Sequence, residues 1–138
     1  MTKGSPLLPG KLKAILVLSA IVLTVLGGGL VFASHRMARL YGTSESVSGT
    51  NASRTAGAAV FALGFLAWTG TTQQMRVVRT VVIPVLFTWF VLKSIVAYLA
   101  LAGGVFKPSV GRTAFAFDVL FAIIYGYFLV VSRSDISQ

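Results

Sequence analysis

Four long runs of apolar residues decide what this chain can fold into. They extend over residues 14–32, 56–71, 81–105 and 113–131. An α-helix of about 20 apolar residues is long enough to cross the roughly 30 Å hydrocarbon core of a bilayer. The second run is shorter, but weakly polar residues extend it at both ends. We therefore predict an all-α fold, a four-helix antiparallel transmembrane bundle that forms a single membrane domain over residues 1–138.

The composition supports a membrane location. Hydrophobic residues make up 56% of the 138 residues and charged residues only 11%, whereas soluble domains contain about 25% charged residues. A soluble fold of this length could not bury so much apolar surface. The net charge of +9 would suit nucleic acid only if it lay on a soluble fold. We therefore expect membrane lipids as partners, and no nucleic acid.

The connections between the runs set the topology. Residues 72–80 and 106–112 form short connections, which force neighbouring helices to run antiparallel. Residues 33–55 form a long loop, whose first part is a candidate for a short helix at the membrane interface. Pro84 is predicted in the first turn of the third helix, where its missing N–H costs nothing. A signal peptide cleaved after residues 31–33 is an alternative for the first run, but the run is longer than a usual signal core.

The positive charges favour one orientation. Four crossings place both termini on the same side, which then carries six Lys and Arg residues against five on the other side. The side richer in Lys and Arg is usually cytoplasmic. We therefore expect a multi-pass cell-membrane protein with both termini in the cytoplasm. The six are Lys3, Lys11, Lys13, Arg76, Arg79 and Arg133, and the five are Arg36, Arg39, Arg54, Lys107 and Arg112.

Lys93 is the least expected residue, because it lies near the middle of the third run. A basic side chain at the centre of a membrane helix costs about 2.5–3.5 kcal/mol on insertion scales, so it usually has a partner or faces the bundle interior. Asp118, in the fourth run, is the natural partner. Counted from the turn between the two runs, their levels differ by about six residues, or roughly 9 Å along the helix axis. The flexible Lys stem makes a direct intramembrane charge pair feasible, and water or Tyr98 could bridge it.

Other polar residues have weaker claims to a function. Thr88, Ser94, Tyr98, Tyr125 and Tyr127 are candidates to lie near the charge pair. Five arginines are candidates for contacts with lipid headgroups: Arg36, Arg39, Arg54, Arg76 and Arg79. Trp68, Trp89 and Tyr41 are predicted as interface anchors or lipid-facing residues, although Trp89 lies too deep for an anchor and is also a candidate to pack inside the bundle. His35, beside Arg36, is predicted as a solvated side chain, so we predict no metal site and no cofactor. The absence of cysteine excludes disulfides and thiol chemistry.

Several short segments resemble those of a set of small, uncharacterised bacterial four-helix membrane proteins. The segments are Ala38-Arg39-Leu40-Tyr41-Gly42 after the first helix and Arg54-Thr55-Ala56-Gly57-Ala58 at the start of the second, together with Arg79 and Asp118. The resemblance extends over most of the chain. It implies a fold and no activity.

Two functions fit these features. Small residues on one face of a helix allow close packing in lipid, and the chain has no catalytic motif. We therefore expect a non-enzymatic interaction or accessory module, which packs against other membrane proteins or itself. The alternative is a small transporter or channel that uses Lys93 and Asp118, and it requires a polar cavity that reaches both residues.

Overall fold

The computed structural model describes the backbone of residues 10–43 and 47–134, and the side chains of residues 10–43 and 53–131. Five helices make up this part of the chain: α1 Gly10–Phe32, α2 Ser34–Tyr41, α3 Val47–Gly70, α4 Met75–Ala102 and α5 Pro108–Ser134. The described residues form no strand, so the predicted all-α class is confirmed. Lys3 and the side chain of Arg133, used above to predict the orientation, lie outside the described residues.

Each long helix begins earlier than the apolar run that predicted it. The largest difference is at α3, which starts at Val47 instead of residue 56, so much of the predicted 33–55 loop is helical. Likewise, α4 starts at Met75 and α5 at Pro108. Ser, Thr and Asn lower helix stability by only a few tenths of a kcal/mol each. Polar residues therefore extend these helices beyond their apolar part.

Pro84 lies inside α4 and not in its first turn, which corrects the prediction. The five residues before Ile83, Val78–Val82, form one turn of π-helix. Proline has no N–H to donate to the carbonyl four residues earlier, at Thr80, and its ring crowds that carbonyl. A π turn widens the helix at such a point. The proline thus accounts for the irregular turn at this end of α4.

Glycines bring α1 and α3 to backbone contact. A Cβ atom added to Gly27 would lie 2.8 Å from the Gly57 carbonyl oxygen, and one added to Gly64 would lie 2.8 Å from the Thr24 nitrogen. The later residue of α3, Gly64, contacts the earlier residue of α1, Thr24, so the two helices are antiparallel. Residues without a side chain let helices approach this closely. The two helices therefore lie side by side along most of their length.

Aromatic rings fill the space between α4 and α5. The buried rings of Phe90, Phe121 and Tyr125, called the aromatic cluster below, have centroids 5.0 Å (Phe90–Phe121) and 5.8 Å (Phe90–Tyr125) apart. The Tyr125 hydroxyl also lies 2.6 Å from the Ser19 hydroxyl on α1. This buried hydrogen bond joins the α1–α3 pair to the α4–α5 pair.

Among the described residues, three helices are long and apolar enough to cross a membrane, namely Gly10–Phe32, Met75–Ala102 and Pro108–Val131. Helix α3 has 24 residues but is not one of the three, because its first part is polar. Large apolar side chains also face outwards, among them Val25, Leu92 and Ile123. The described residues are thus helical and include three candidate membrane helices, while the four-helix bundle stays a prediction.

Candidate functional site: a cleft at the Lys93–Asp118 pair

Lys93 and Asp118 form a salt bridge between α4 and α5. The Lys93 Nζ atom lies 3.1 Å from the Asp118 Oδ1 atom. The Lys93 side chain is 29% exposed, whereas the Asp118 side chain is only 1% exposed. Either charge alone would be costly in apolar surroundings, and the pair offsets part of that cost.

The two residues lie at the same level, without the predicted offset of roughly 9 Å along the helix axis. That prediction took Thr113 as the first residue of the last helix. Because α5 begins at Pro108, Asp118 is ten residues from its start, and Lys93 is nine residues from the end of α4 at Ala102. The direct contact needs no bridge through Tyr98, which is exposed.

A cleft of about 640 Å³ reaches this pair. Residues of α1, α2, α4 and α5 line it, and apolar side chains dominate. Among the lining residues, Lys93 and Asp118 are the charged ones. The volume lies within the range of roughly 300–1,000 Å³ typical of small-molecule sites. The described lining residues are Ile21, Val22, Val25, Leu26, Leu40, Tyr41, Lys93, Ser109, Val110, Thr113, Ala114, Phe117 and Asp118.

The second carboxylate oxygen of Asp118 distinguishes this cleft from an apolar groove. Oδ2 is buried and has no hydrogen-bond partner among the described residues. A buried polar atom without a partner costs about 1–3 kcal/mol, and more when it is charged. Asp118 is among the residues that line the cleft, although Oδ2 itself has almost no accessible surface.

The aromatic cluster closes the bundle beyond the pair. Phe90 precedes Lys93 by three residues and Phe121 follows Asp118 by three, so both rings lie about one helical turn away. The cluster is fully buried, and none of its rings lines the cleft. The cleft therefore lies on the α2 side of the cluster.

Helix α2 forms one rim of the cleft through Tyr41. The Lys107 N–H donates to the Tyr41 carbonyl oxygen over 3.1 Å, and the Tyr41 ring packs on Phe106, with centroids 5.2 Å apart. Gly42 ends the helix with a φ of 76°, a conformation that favours glycine. The end of α2 is thus held on the α4–α5 turn. Burial, and to a smaller extent the Asp118 carboxylate, raise the pKa of Tyr41 above 10.0, so its hydroxyl keeps its proton.

None of the five polar residues predicted to lie near the pair lines the cleft, and two other polar residues were missed. Of the five candidates near the pair, Tyr125 is in the interior, while the Ser94 hydroxyl donates to the Phe90 carbonyl. Thr88, Tyr98 and Tyr127 are exposed. The missed residues are Ser19, a hydroxyl within an otherwise apolar stretch of α1, and Tyr41, which had been predicted as an anchor. The Leu40-Tyr41-Gly42 segment was the available signal for the second.

The candidate headgroup arginines lie at two ends of the molecule. Arg36 and Arg39 are exposed on α2, and Arg54 is exposed on α3, one turn before the glycine that contacts the end of α1. Arg76 is exposed and Arg79 half-buried, both in the first turns of α4. His35 is exposed on α2. Contact of these arginines with lipid headgroups stays a prediction.

The part of the chain that the structure describes is helical, with three helices apolar enough for a membrane and a salt bridge between two of them. No protein-family model, curated protein or solved structure matches this chain. The resemblance to small bacterial four-helix membrane proteins therefore stays a prediction, and the function is argued below from the site itself.

Proposed function

We propose that this chain is a non-enzymatic, multi-pass membrane protein that binds a membrane-dissolved small molecule in the Lys93–Asp118 cleft. One observation carries the proposal. The cleft leads to a buried carboxylate whose Oδ2 atom has no hydrogen-bond partner among the described residues. Polar groups are expensive in a membrane and mark functional sites there. A ligand with an apolar body and one polar group fits such a lining.

The proposal includes a fourth crossing by α3. Its hydropathy is lower than that of the three other long helices, but it packs against α1 through Gly57 and Gly64 at backbone distance. If α1 spans the bilayer, α3 spans it as well, because the two helices pack side by side. Both termini then lie on one side, and the distribution of Lys and Arg favours the cytoplasm.

The cleft also bears on the two functions expected from the sequence. An accessory module that packs on membrane proteins or on itself needs no cavity. A cleft that ends at an incompletely paired carboxylate favours binding of a small molecule. Partner proteins remain compatible with the outward-facing apolar side chains, but nothing in the site selects one.

Transport is the second candidate, because the Lys93 side chain is 29% exposed and lines the cleft. The buried aromatic cluster and the Ser19–Tyr125 hydrogen bond oppose it, since they close the bundle beyond the pair. The chain has no cysteine, so Ala114→Cys introduces a single reporter in the cleft. A transporter predicts that impermeant charged thiol reagents reach this cysteine from both faces of the membrane. The binding function predicts access from at most one face.

Tryptophan fluorescence in lipid nanodiscs tests binding directly. In a Trp68→Phe/Trp89→Phe background, Phe117→Trp places one fluorophore in the lining of the cleft. Trp68 is exposed, and the buried Trp89 Nε1 atom has no hydrogen-bond partner among the described residues, so both replacements are mild. A long-chain primary alcohol with a terminal bromine is the quencher. We expect quenching that saturates with its concentration.

Val119→Trp is the matched control. Val119 lies two residues further along α5, is also half-buried, and lines an apolar groove between α4 and α5 whose described lining contains no charged residue. There the quencher should act only by partition into lipid, so quenching should rise without saturation. Equal, unsaturated quenching at both positions would contradict the binding function.

A further inference from the structure

A second groove, separate from the cleft, lies on the seam between α1 and α5. Lys11, Ala14 and Ile15 of α1 line it together with four residues of the 123–128 segment of α5, and its volume is about 610 Å³. It is called the Lys11 groove below, and it shares no described lining residue with the cleft. We propose that it binds one anionic phospholipid, with an acyl chain in the groove and the lipid phosphate on the Lys11 ammonium.

The described lining of the Lys11 groove is apolar, apart from Lys11 itself and the Tyr127 hydroxyl. Lys11 and Ile15 are four residues apart, so they lie on one face of α1, with Lys11 nearer the start of the helix. Ile124 and Phe128 have the same spacing on α5. An apolar strip on each helix therefore leads to a single cation at one end, which matches the layout of a lipid chain and its headgroup.

Lys11 lies at the level of a lipid headgroup when α1 crosses the bilayer. The helix extends over 23 residues, Gly10–Phe32, or about 34 Å at the helical rise, slightly more than the roughly 30 Å hydrocarbon core. Lys11 is its second residue, so the exposed lysine side chain reaches the border of this core. The groove runs from that border into the hydrocarbon, along Ile15 and Ile124.

The charge of Lys11 indicates an anionic headgroup. Asp118 is the only acidic residue in the described part of the chain, and it pairs with Lys93. Lys11 therefore has no carboxylate partner there. An anionic phospholipid brings a negative charge beside an apolar chain, whereas a zwitterionic lipid brings its own cation next to the lysine. The distribution of Lys and Arg also favours the cytoplasmic leaflet for this end of α1, and anionic lipids give that leaflet its negative potential.

Tryptophan quenching by brominated lipids tests the site. Phe128→Trp, in the Trp68→Phe/Trp89→Phe background, places one fluorophore in the lining of the Lys11 groove. Phosphatidylcholine nanodiscs contain the same small share of either phosphatidylglycerol or phosphatidylcholine with brominated acyl chains. Quenching then measures how often each lipid occupies the groove. We expect about fivefold tighter association of phosphatidylglycerol, because one lysine beside an anionic headgroup contributes about 1 kcal/mol.

Lys11→Met removes the charge and keeps a long side chain. We expect it to abolish the preference for phosphatidylglycerol, and Lys11→Arg to retain it. Lys13→Met is the matched control, because Lys13 is equally exposed and only two residues away but does not line the groove. It should leave the preference near fivefold. An equal fall in Lys11→Met and Lys13→Met would mean that the net charge attracts anionic lipid without a site, and would overturn the inference.

Val119→Trp in the same background reports on lipid outside the Lys11 groove. Its groove has no charged residue in the described lining, so both brominated lipids should quench it alike. The same preference for phosphatidylglycerol at Val119→Trp and Phe128→Trp would show general enrichment of anionic lipid and contradict a site. Quenching of Val119→Trp but not of Phe128→Trp, by either lipid, would mean that another segment or a second copy covers the groove, which also overturns the inference.

Discussion

At the scale of single residues, the two members of the charge pair are not equivalent. Asp118 is almost completely buried, so its carboxylate depends on Lys93 for charge compensation. Lys93 is partly exposed on the cleft, and its long stem can carry the ammonium towards water or headgroups. Loss of the lysine therefore leaves the less tolerable charge behind.

Lys93→Met should destabilise the protein more than Asp118→Leu. We expect losses of about 3 kcal/mol and about 1 kcal/mol, because removal of one partner from a buried pair is costly and a lysine can relocate. The double variant should return to within about 1 kcal/mol of the native protein, since an apolar pair of similar volume can replace a buried salt bridge. Unfolding in mixed detergent micelles measures all three. Additive losses in the double variant would show that the two charges do not stabilise one another.

At the scale of helices, the α1–α3 contact depends on the absence of side chains. A Cβ atom on Gly27 would lie 2.5 Å from the Phe61 backbone nitrogen, and the backbone of a packed helix cannot easily yield. At the adjacent Gly28, an added Cβ atom has nothing within 4 Å. Two neighbouring glycines in the same apolar helix thus have different roles.

Gly27→Ala should lower stability by about 1–3 kcal/mol, because the added methyl group separates the two helices. Gly28→Ala should leave stability unchanged or raise it by up to about 1 kcal/mol, since alanine is the better helix former. Thermal unfolding of both variants in the same detergent makes the comparison. A similar loss in the two would mean that helix propensity, and not the α1–α3 contact, decides the result.

The helices show what the sequence could reveal. Long apolar runs identified the four long helices, because a helix that crosses the hydrocarbon core requires such a run. Their N-terminal extensions were missed, since polar residues at 47–55 carry no apolar signal although helical hydrogen bonding continues through them. Lys93 and Asp118 were predicted as a pair from charge alone. The position of Tyr41 at the rim of the cleft and the unpartnered state of Asp118 Oδ2 among the described residues depend on how α2 and α5 meet in space, for which the Leu40-Tyr41-Gly42 segment was the one available signal.

At the scale of the whole molecule, the number of crossings fixes where the loops lie. An α3 that crosses places the 71–74 turn on the opposite side of the bilayer from α2, which precedes α3 in the chain. A helix that only lay on the surface would leave the residues before and after it on the same side. The distinction does not depend on which side is cytoplasmic.

Single cysteines in this cysteine-free chain can measure the topology. Arg39→Cys, Gln73→Cys and Val105→Cys replace exposed residues before α3, after α3 and after α4. An impermeant maleimide is added outside intact cells. We expect it to give the same result for Arg39→Cys and Val105→Cys and the opposite result for Gln73→Cys, so that it labels either the first two variants or only the third. Permeabilised cells provide the control, in which all three should react. The same labelling for Arg39→Cys and Gln73→Cys would contradict the fourth crossing.

The salt bridge also has a consequence for how the protein is made. Alone, α4 would enter the bilayer with an unpaired lysine and α5 with an unpaired aspartate, each at a cost of about 2.5–3.5 kcal/mol. The helices are joined by a turn of only a few residues, and their charges lie at the same level. Biosynthetic insertion is therefore favoured when the two helices leave the translocon together as a hairpin, with the ion pair already formed.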